Sequence, residues 1–167
     1  MRPILMTPIL IALLASPAAP PAAAQTQSGE GYNLTKLSFQ SVDGAERGYI
    51  DLGAYSRFGG DVFYSMDADE NGALSLGEFL SWGFGMEQVA EAAGRVEAYE
   101  TALRVVFAFW DLNGDNAITR TEHRKALDAD FRRADANNDA VLSEAEFMSG
   151  FTVNVAMRAA INPPPAN

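Results

Sequence analysis

Hydrophobic positions along the chain fall into a fourfold repeat. Phe39, Phe63, Phe107 and Phe131 mark it, with 24 residues from the first to the second and 24 from the third to the fourth. Eleven residues after each phenylalanine stands an aliphatic side chain, Ile50, Leu74, Ile118 or Leu142, and sixteen residues after it an aromatic one in three of four cases, Tyr55, Phe79 and Phe147. The residues just before each aliphatic position are mostly polar or glycine. This rhythm predicts a helix ending shortly past each phenylalanine, a polar loop, a short extended segment at the aliphatic residue, and a second helix carrying the aromatic. The phenylalanine then lies on the inner face of the incoming helix and packs against the ring of the outgoing one. The aliphatic positions let two loops pair through a short antiparallel bridge. Between Glu122 and Asp135 only twelve residues remain, His123 to Ala134, so one helical segment of about 18 Å serves as exit from one loop and approach to the next. Tyr55 to Met66 repeats that economy, with Gly59-Gly60 expected to break it into two short helices. Val89, Ala93, Val96, Tyr99, Leu103, Val106, Phe107 and Trp110 predict one long helix over 86–110, weakest at Gly94. The expected fold class is all-α.

The polar loops carry the chemistry. From Asp111 to Glu122, oxygen-bearing side chains recur at the first, third, fifth and ninth positions, and a glutamate closes the loop at the twelfth. A hard cation the size of calcium takes six to eight oxygens at roughly 2.3–2.6 Å, and a tight turn supplies them from alternate residues, one carbonyl and one bidentate carboxylate. Here those groups are Asp111, Asn113, Asp115, the carbonyl of Ala117, Thr119 and Glu122. The stretch 67–78 repeats the order with Asp67, Asp69, Asn71, Ala73, Ser75 and Glu78, and 135–146 repeats it with Asp135, Asn137, Asp139, Val141, Ser143 and Glu146. At average residue usage one full match in a chain of this length is an accident on the order of one in a thousand. Position six normally takes positive φ, so Gly72 suits it, Asn116 tolerates it and Ala140 resists it, which makes the loop at 135 the expected weakest binder.

On these motifs the chain resembles the EF-hand, calmodulin-like superfamily, and within it small exported bacterial EF-hand proteins. The resemblance implies three calcium ions and paired hands: a first pair over 34–84, a connecting helix over 85–110, a second pair over 111–160 and a disordered tail over 161–167. In the first pair the partner of the loop at 67 is 43–54, which keeps Asp43, Gly48, Ile50 and Asp51 but has Ala45, Arg47 and Ala54 where ligands belong. It reads as a vestigial hand that has lost its metal, or as an ordinary loop that happens to fit.

Composition and charge narrow the role. With 48% apolar residues in 167 the chain is long enough for one compact domain or two small lobes. A formal charge of −10 argues against nucleic acid and anionic membrane surfaces as partners, because acidic surfaces repel phosphate. With no cysteine there is no disulfide, no lipid-attachment thiol and no thiol catalysis. Arg2, the apolar run Ile4–Ala15 and Ala22-Ala23-Ala24 before Gln25 have the form of a signal peptide over 1–24. A membrane anchor is the competing reading, but a core of about twelve residues falls short of the ~20 a spanning helix needs. Export to the periplasm or beyond follows, with 25–33 as a flexible leader and no membrane span after cleavage.

His123, the single histidine, has no serine or cysteine constellation around it and is expected to face solvent. Trp82, Phe84 and Met86 read as core packing or as an exposed partner groove. Two classes of function stay open: a calcium-binding buffer, or sensor that engages a protein partner; and a calcium-stabilised subunit or accessory domain of an exported enzyme. Little chain lies outside the repeats and no catalytic cluster stands apart from them, so the expectation is a non-enzyme.

Overall fold

A computed structural model describes residues 30–162, and within them the chain is predominantly helical. Its elements run α1 (Glu30–Val42), β1 (Tyr49–Asp51), α2 (Leu52–Met66), β2 (Ala73–Ser75), α3 (Leu76–Ser81), a 3-10 turn (Gly83–Gly85), α4 (Glu87–Ala92), α5 (Val96–Trp110), β3 (Ala117–Thr119), α6 (Arg120–Ala134), β4 (Val141–Ser143), α7 (Glu144–Gly150) and α8 (Thr152–Ile161). The signal peptide expected over 1–24 lies outside the described residues. The expected leader is shorter than 25–33, since α1 already begins at Glu30 and is supported by packing on α7 and α8. At the other end Ile161, assigned above to a tail, is buried as the last residue of α8. Among the described residues no helix is long and apolar enough to cross a membrane.

The expected pairing of neighbouring loops, 43 with 67 and 111 with 135, is corrected. β1 pairs antiparallel with β4, setting Ile50 opposite Leu142, and β2 pairs antiparallel with β3, setting Leu74 opposite Ile118. The outer two loops meet each other, and the inner two meet each other. The cause is the rigidity of the shared helices. α2 and α6 each run 15 residues without a break, about 22 Å at 1.5 Å per residue, so the loops at the two ends of either helix cannot touch. The helices instead lie side by side in opposite directions, and each end of the pair carries one bridge.

The ring contacts follow the same nesting. Phe39 packs on Phe147 at 5.8 Å, Phe131 on Tyr55 at 5.6 Å, and Phe107 on Phe79 at 5.6 Å, each across paired loops rather than within one. Phe63 meets His123 at 5.2 Å. His123 therefore fills the fourth place in the outgoing aromatic set. It is 3% exposed, also touches Trp110, and does not face solvent as expected. All four bridging aliphatic side chains are fully buried.

Two glycine expectations also change. α2 runs straight through Gly59-Gly60, because Gly59 faces α6 so closely that a Cβ there would stand 2.0 Å from Leu127 Cδ1. The long helix expected over 85–110 is two helices. Gly94, at φ +64°, ends α4: its amide donates to Glu91 and that of Arg95 to Ala90, a left-handed helix stop that glycine takes without a Cβ penalty. Before α4, the Gly83–Gly85 turn is held by the Tyr99 hydroxyl, which donates to the Gly83 carbonyl. Met86 is buried and Phe84 packs on Phe79, so this segment is core rather than groove, with Trp82 at its partly exposed edge.

Candidate metal centre

The four loops share one backbone. Positions four and six take positive φ in each: Glu46 and Gly48, Glu70 and Gly72, Gly114 and Asn116, Asn138 and Ala140. In each, the carboxylate at position one accepts the amide of position six, from Gly48 at 2.6 Å, Gly72 at 3.0 Å, Asn116 at 2.9 Å and Ala140 at 3.1 Å. That bond turns the chain back over its own start. Positions three and five do the same over two residues. Asp69, Asn113 and Asn137 accept from Asn71, Asp115 and Asp139, which in turn accept from Ala73, Ala117 and Val141. Side chains that spend one oxygen on a local turn are held in place with the rest of their acceptor capacity left for another partner.

The closing glutamates join the two ends of each loop. One oxygen of Glu78, Glu122 or Glu146 accepts from the amide and hydroxyl of Ser75, Thr119 or Ser143, which cap α3, α6 and α7 in return. The other oxygen reaches back to the opening turn, to the amides of Ala68 at 3.0 Å, Asn113 at 3.3 Å and Asn137 at 3.4 Å. Hydrogen bonds to the charged form hold all three carboxyls below the usual glutamate range: the Ser75 amide first for Glu78, the Thr119 and Ser143 hydroxyls first for Glu122 and Glu146. At neutral pH each loop therefore presents an ionised closing carboxylate.

The loop at 67 goes furthest. Asp67, Asp69 and Glu78 bring carboxylate oxygens within 4.8 Å of one another, the one set of three acidic or histidine groups among the described residues that does so. Asp67 is 3% exposed and its Oδ1 is buried with no hydrogen-bond partner. Its Oδ2 faces Arg120 Nη2 at 3.7 Å, beyond hydrogen-bonding reach. A buried carboxylate oxygen without a partner is costly unless a charge offsets it, so this donor set fits a hard cation. At 111 and 135 the third position is an amide, whose nitrogen donates to the fifth-position carboxylate, Asn113 to Asp115 and Asn137 to Asp139, both at 2.9 Å. The loop at 67 has the same single charge with the order reversed, Asn71 donating to Asp69 at 2.8 Å, so what sets it apart is the convergence of Asp67, Asp69 and Glu78. The carbonyl positions Ala73, Ala117 and Val141 open β2, β3 and β4.

The loop at 43 has the shape without the ligands. Asp43 is buried and tied to its own turn, and Ala45 and Ala54 offer no side-chain oxygen. Asp51 replaces the Ser or Thr cap, accepting from the Ala54 amide at 2.7 Å.

Among the described residues, two buried titratable groups, His123 and Asp130, are not where the sequence led one to expect them. His123 is driven from 6.5 to about 4 by burial; its place after a closing glutamate, where the other three repeats have a ring, was the available signal. Asp130 is 3% exposed, and burial raises its pKa. It accepts from Arg133 at 2.6 Å and Thr152 at 2.9 Å, fastening α6 to the start of α8, and its other oxygen is unpaired. Nothing in the local sequence marked it. The chain matches no model of a known protein family and no curated protein.

Proposed function

We propose that this protein is a calcium-binding EF-hand module with three sites, at 67, 111 and 135, and a fourth hand at 43 that binds no metal. The single observation that carries the reading is the orphaned Oδ1 of Asp67 beside converging Asp69 and Glu78. The same order of oxygen side chains and the same closing glutamate, held in the same way, extend it to the sites at 111 and 135. Calcium is favoured over magnesium because closing glutamates that offer two oxygens suit a large, irregular shell better than a compact octahedron. Bridged through β2 and β3, the sites at 67 and 111 form the coupled pair, while the site at 135 is bridged through β4 to the silent loop. The leader at 1–24 supports export to the periplasm or outside, where the module buffers calcium or uses it to order its fold.

Engagement of a protein partner is the second reading. Val105, Phe109 and Leu112, at 48%, 69% and 55% exposure, are large apolar side chains left open on α5 and at the start of the loop at 111. Calorimetry of the mature chain tests the first reading: three calcium ions per chain with weaker magnesium competition are expected, and two, four or none contradict it. Apolar dye binding that rises strongly with calcium favours the second.

A further inference from the structure

We infer that the loop at 43–54 carries its own cation, the guanidinium of Arg47. In the other three loops position five is an oxygen donor, Asn71, Asp115 or Asp139. Here it is a cation on a long stem. The Arg47 amide donates to Asp43 Oδ1 at 3.0 Å, which places the residue inside the turn. From there its side chain spans the loop: Nη1 donates to Asp51 Oδ2 at 2.8 Å, and Nε stands 3.8 Å from Asp43 Oδ1. The guanidinium also lies 4.5 Å from the Tyr49 ring centre, at the first residue of β1. One positive group thus links position one to position nine, two ligand positions that a metal would otherwise draw together.

The charge count in this loop agrees. Positions three and twelve, elsewhere an aspartate or asparagine and the closing glutamate, are Ala45 and Ala54, so Asp43 and Asp51 are the acidic groups at ligand positions and both face Arg47. Glu46, at position four, is exposed. The loop nonetheless takes the same positive φ at Glu46 and Gly48, and the same bond from position six to position one, as the three loops with full ligand sets. It keeps the shape of the other loops with side-chain oxygens at only two of their five ligand positions.

A consequence for the whole molecule follows from the nesting. The loop on one side of the β1–β4 bridge pairs its ligand-position carboxylates with a guanidinium of its own, whereas at the β2–β3 bridge Asp67 keeps a buried oxygen without a partner and meets Arg120 only at 3.7 Å. In chelator the end of the α2–α6 pair bearing 43 and 135 stays ordered, and the end bearing 67 and 111 loosens first.

Amide hydrogen exchange on the mature full-length chain in chelator tests this. Slower exchange in β1 and β4 than in β2 and β3 is expected. Arg47→Met, which keeps the stem and loses the charge, lowers protection in β1 and β4 by roughly two- to fivefold, the scale of an exposed ion pair, and leaves β2 and β3 unchanged. Arg47→Lys, with charge but no planar fork, falls between. Equal protection of the two bridges in the unaltered chain, or no change in β1 and β4 on Arg47→Met, overturns the inference. Both measurements are made without metal, so failure here leaves calcium binding standing, and failure to bind calcium leaves the Arg47→Met comparison valid.

Discussion

Replacing Gly59 and Gly60 by alanine, one at a time, places the same added methyl on adjacent residues of α2 and should move stability in opposite directions. In helix interiors alanine is favoured over glycine by about 1 kcal/mol, and both variants gain that. At Gly60 nothing lies within 4 Å of the new Cβ, so the gain stands nearly whole. At Gly59 the Cβ would sit 2.0 Å from Leu127 Cδ1 and 3.4 Å from its Cγ. Carbon atoms rest at about 3.5–4.0 Å, so roughly 1.5 Å must be found by a leucine that is itself buried. Overpacking of this kind costs about 1–3 kcal/mol, and the depth of this overlap puts it in the upper half, for a net loss of about 1–2 kcal/mol. Urea and thermal unfolding followed by circular dichroism, in chelator and in calcium, measure both. Gly60→Ala should melt higher than the unaltered chain and Gly59→Ala several degrees lower. Adding Leu127→Ala to Gly59→Ala should cost less than Leu127→Ala alone, because the two changes relieve one another. If Gly59→Ala is as stable as Gly60→Ala, the close approach of α2 and α6 is wrong.

Ala140 holds φ +68°, a conformation that costs a residue with a Cβ roughly 1–2 kcal/mol. Ala140→Gly should therefore tighten calcium binding at 135 by up to about tenfold, and calorimetry showing no gain counts against it. Glu122→Gln should weaken calcium binding at 67 as well as at 111 and leave 135 indifferent, following the β2–β3 bridge; weakening at 135 instead would restore pairing by sequence order. His123 carries a pH signature. Its folded value of about 4 lies below its ordinary 6.5, so between those values the unfolded chain binds more protons and stability rises with pH. The contribution is complete above pH 6.5 and lost as pH falls toward 4, about 2–3 kcal/mol between pH 7 and 4.5. His123→Phe should remove that part of the acid sensitivity, and an unchanged pH profile of unfolding would show that burial does not govern this imidazole.

The local elements were legible in the sequence because each depends on residues a few places apart. Phe39 and its three counterparts, the bridging Ile50, Leu74, Ile118 and Leu142, and the alternating oxygens of the loops announce helix ends, bridges and turns by spacing alone. Which loop meets which was not legible from the repeat, since a 24-residue period is the same under either pairing. The deciding quantity was the stiffness of α2 and α6, and Gly59-Gly60 argued falsely against it: a glycine can mark a break or a close helix contact, and only the position of Leu127 tells them apart. Gly94 is the reverse case, a real helix stop hidden inside an unbroken apolar rhythm. His123 stands at the fourth place of the ring series, and its place in that series, not its titratable chemistry, decides its burial. Asp130 depends on Thr152, a contact across 22 residues that no local pattern reveals.

Calcium binding by three of the four similarly shaped loops can be read one loop at a time from the amides of position six. Gly48, Gly72, Asn116 and Ala140 each donate to the carboxylate at the start of their own loop, so a cation arriving there must shift their nitrogen and proton resonances. In a calcium titration followed by NMR, the signals of Gly72, Asn116 and Ala140 should move and saturate by three equivalents, with Gly72 and Asn116 responding together and Gly48 nearly still. A large shift at Gly48, or silence at any of the other three, would contradict three calcium sites beside a silent fourth loop.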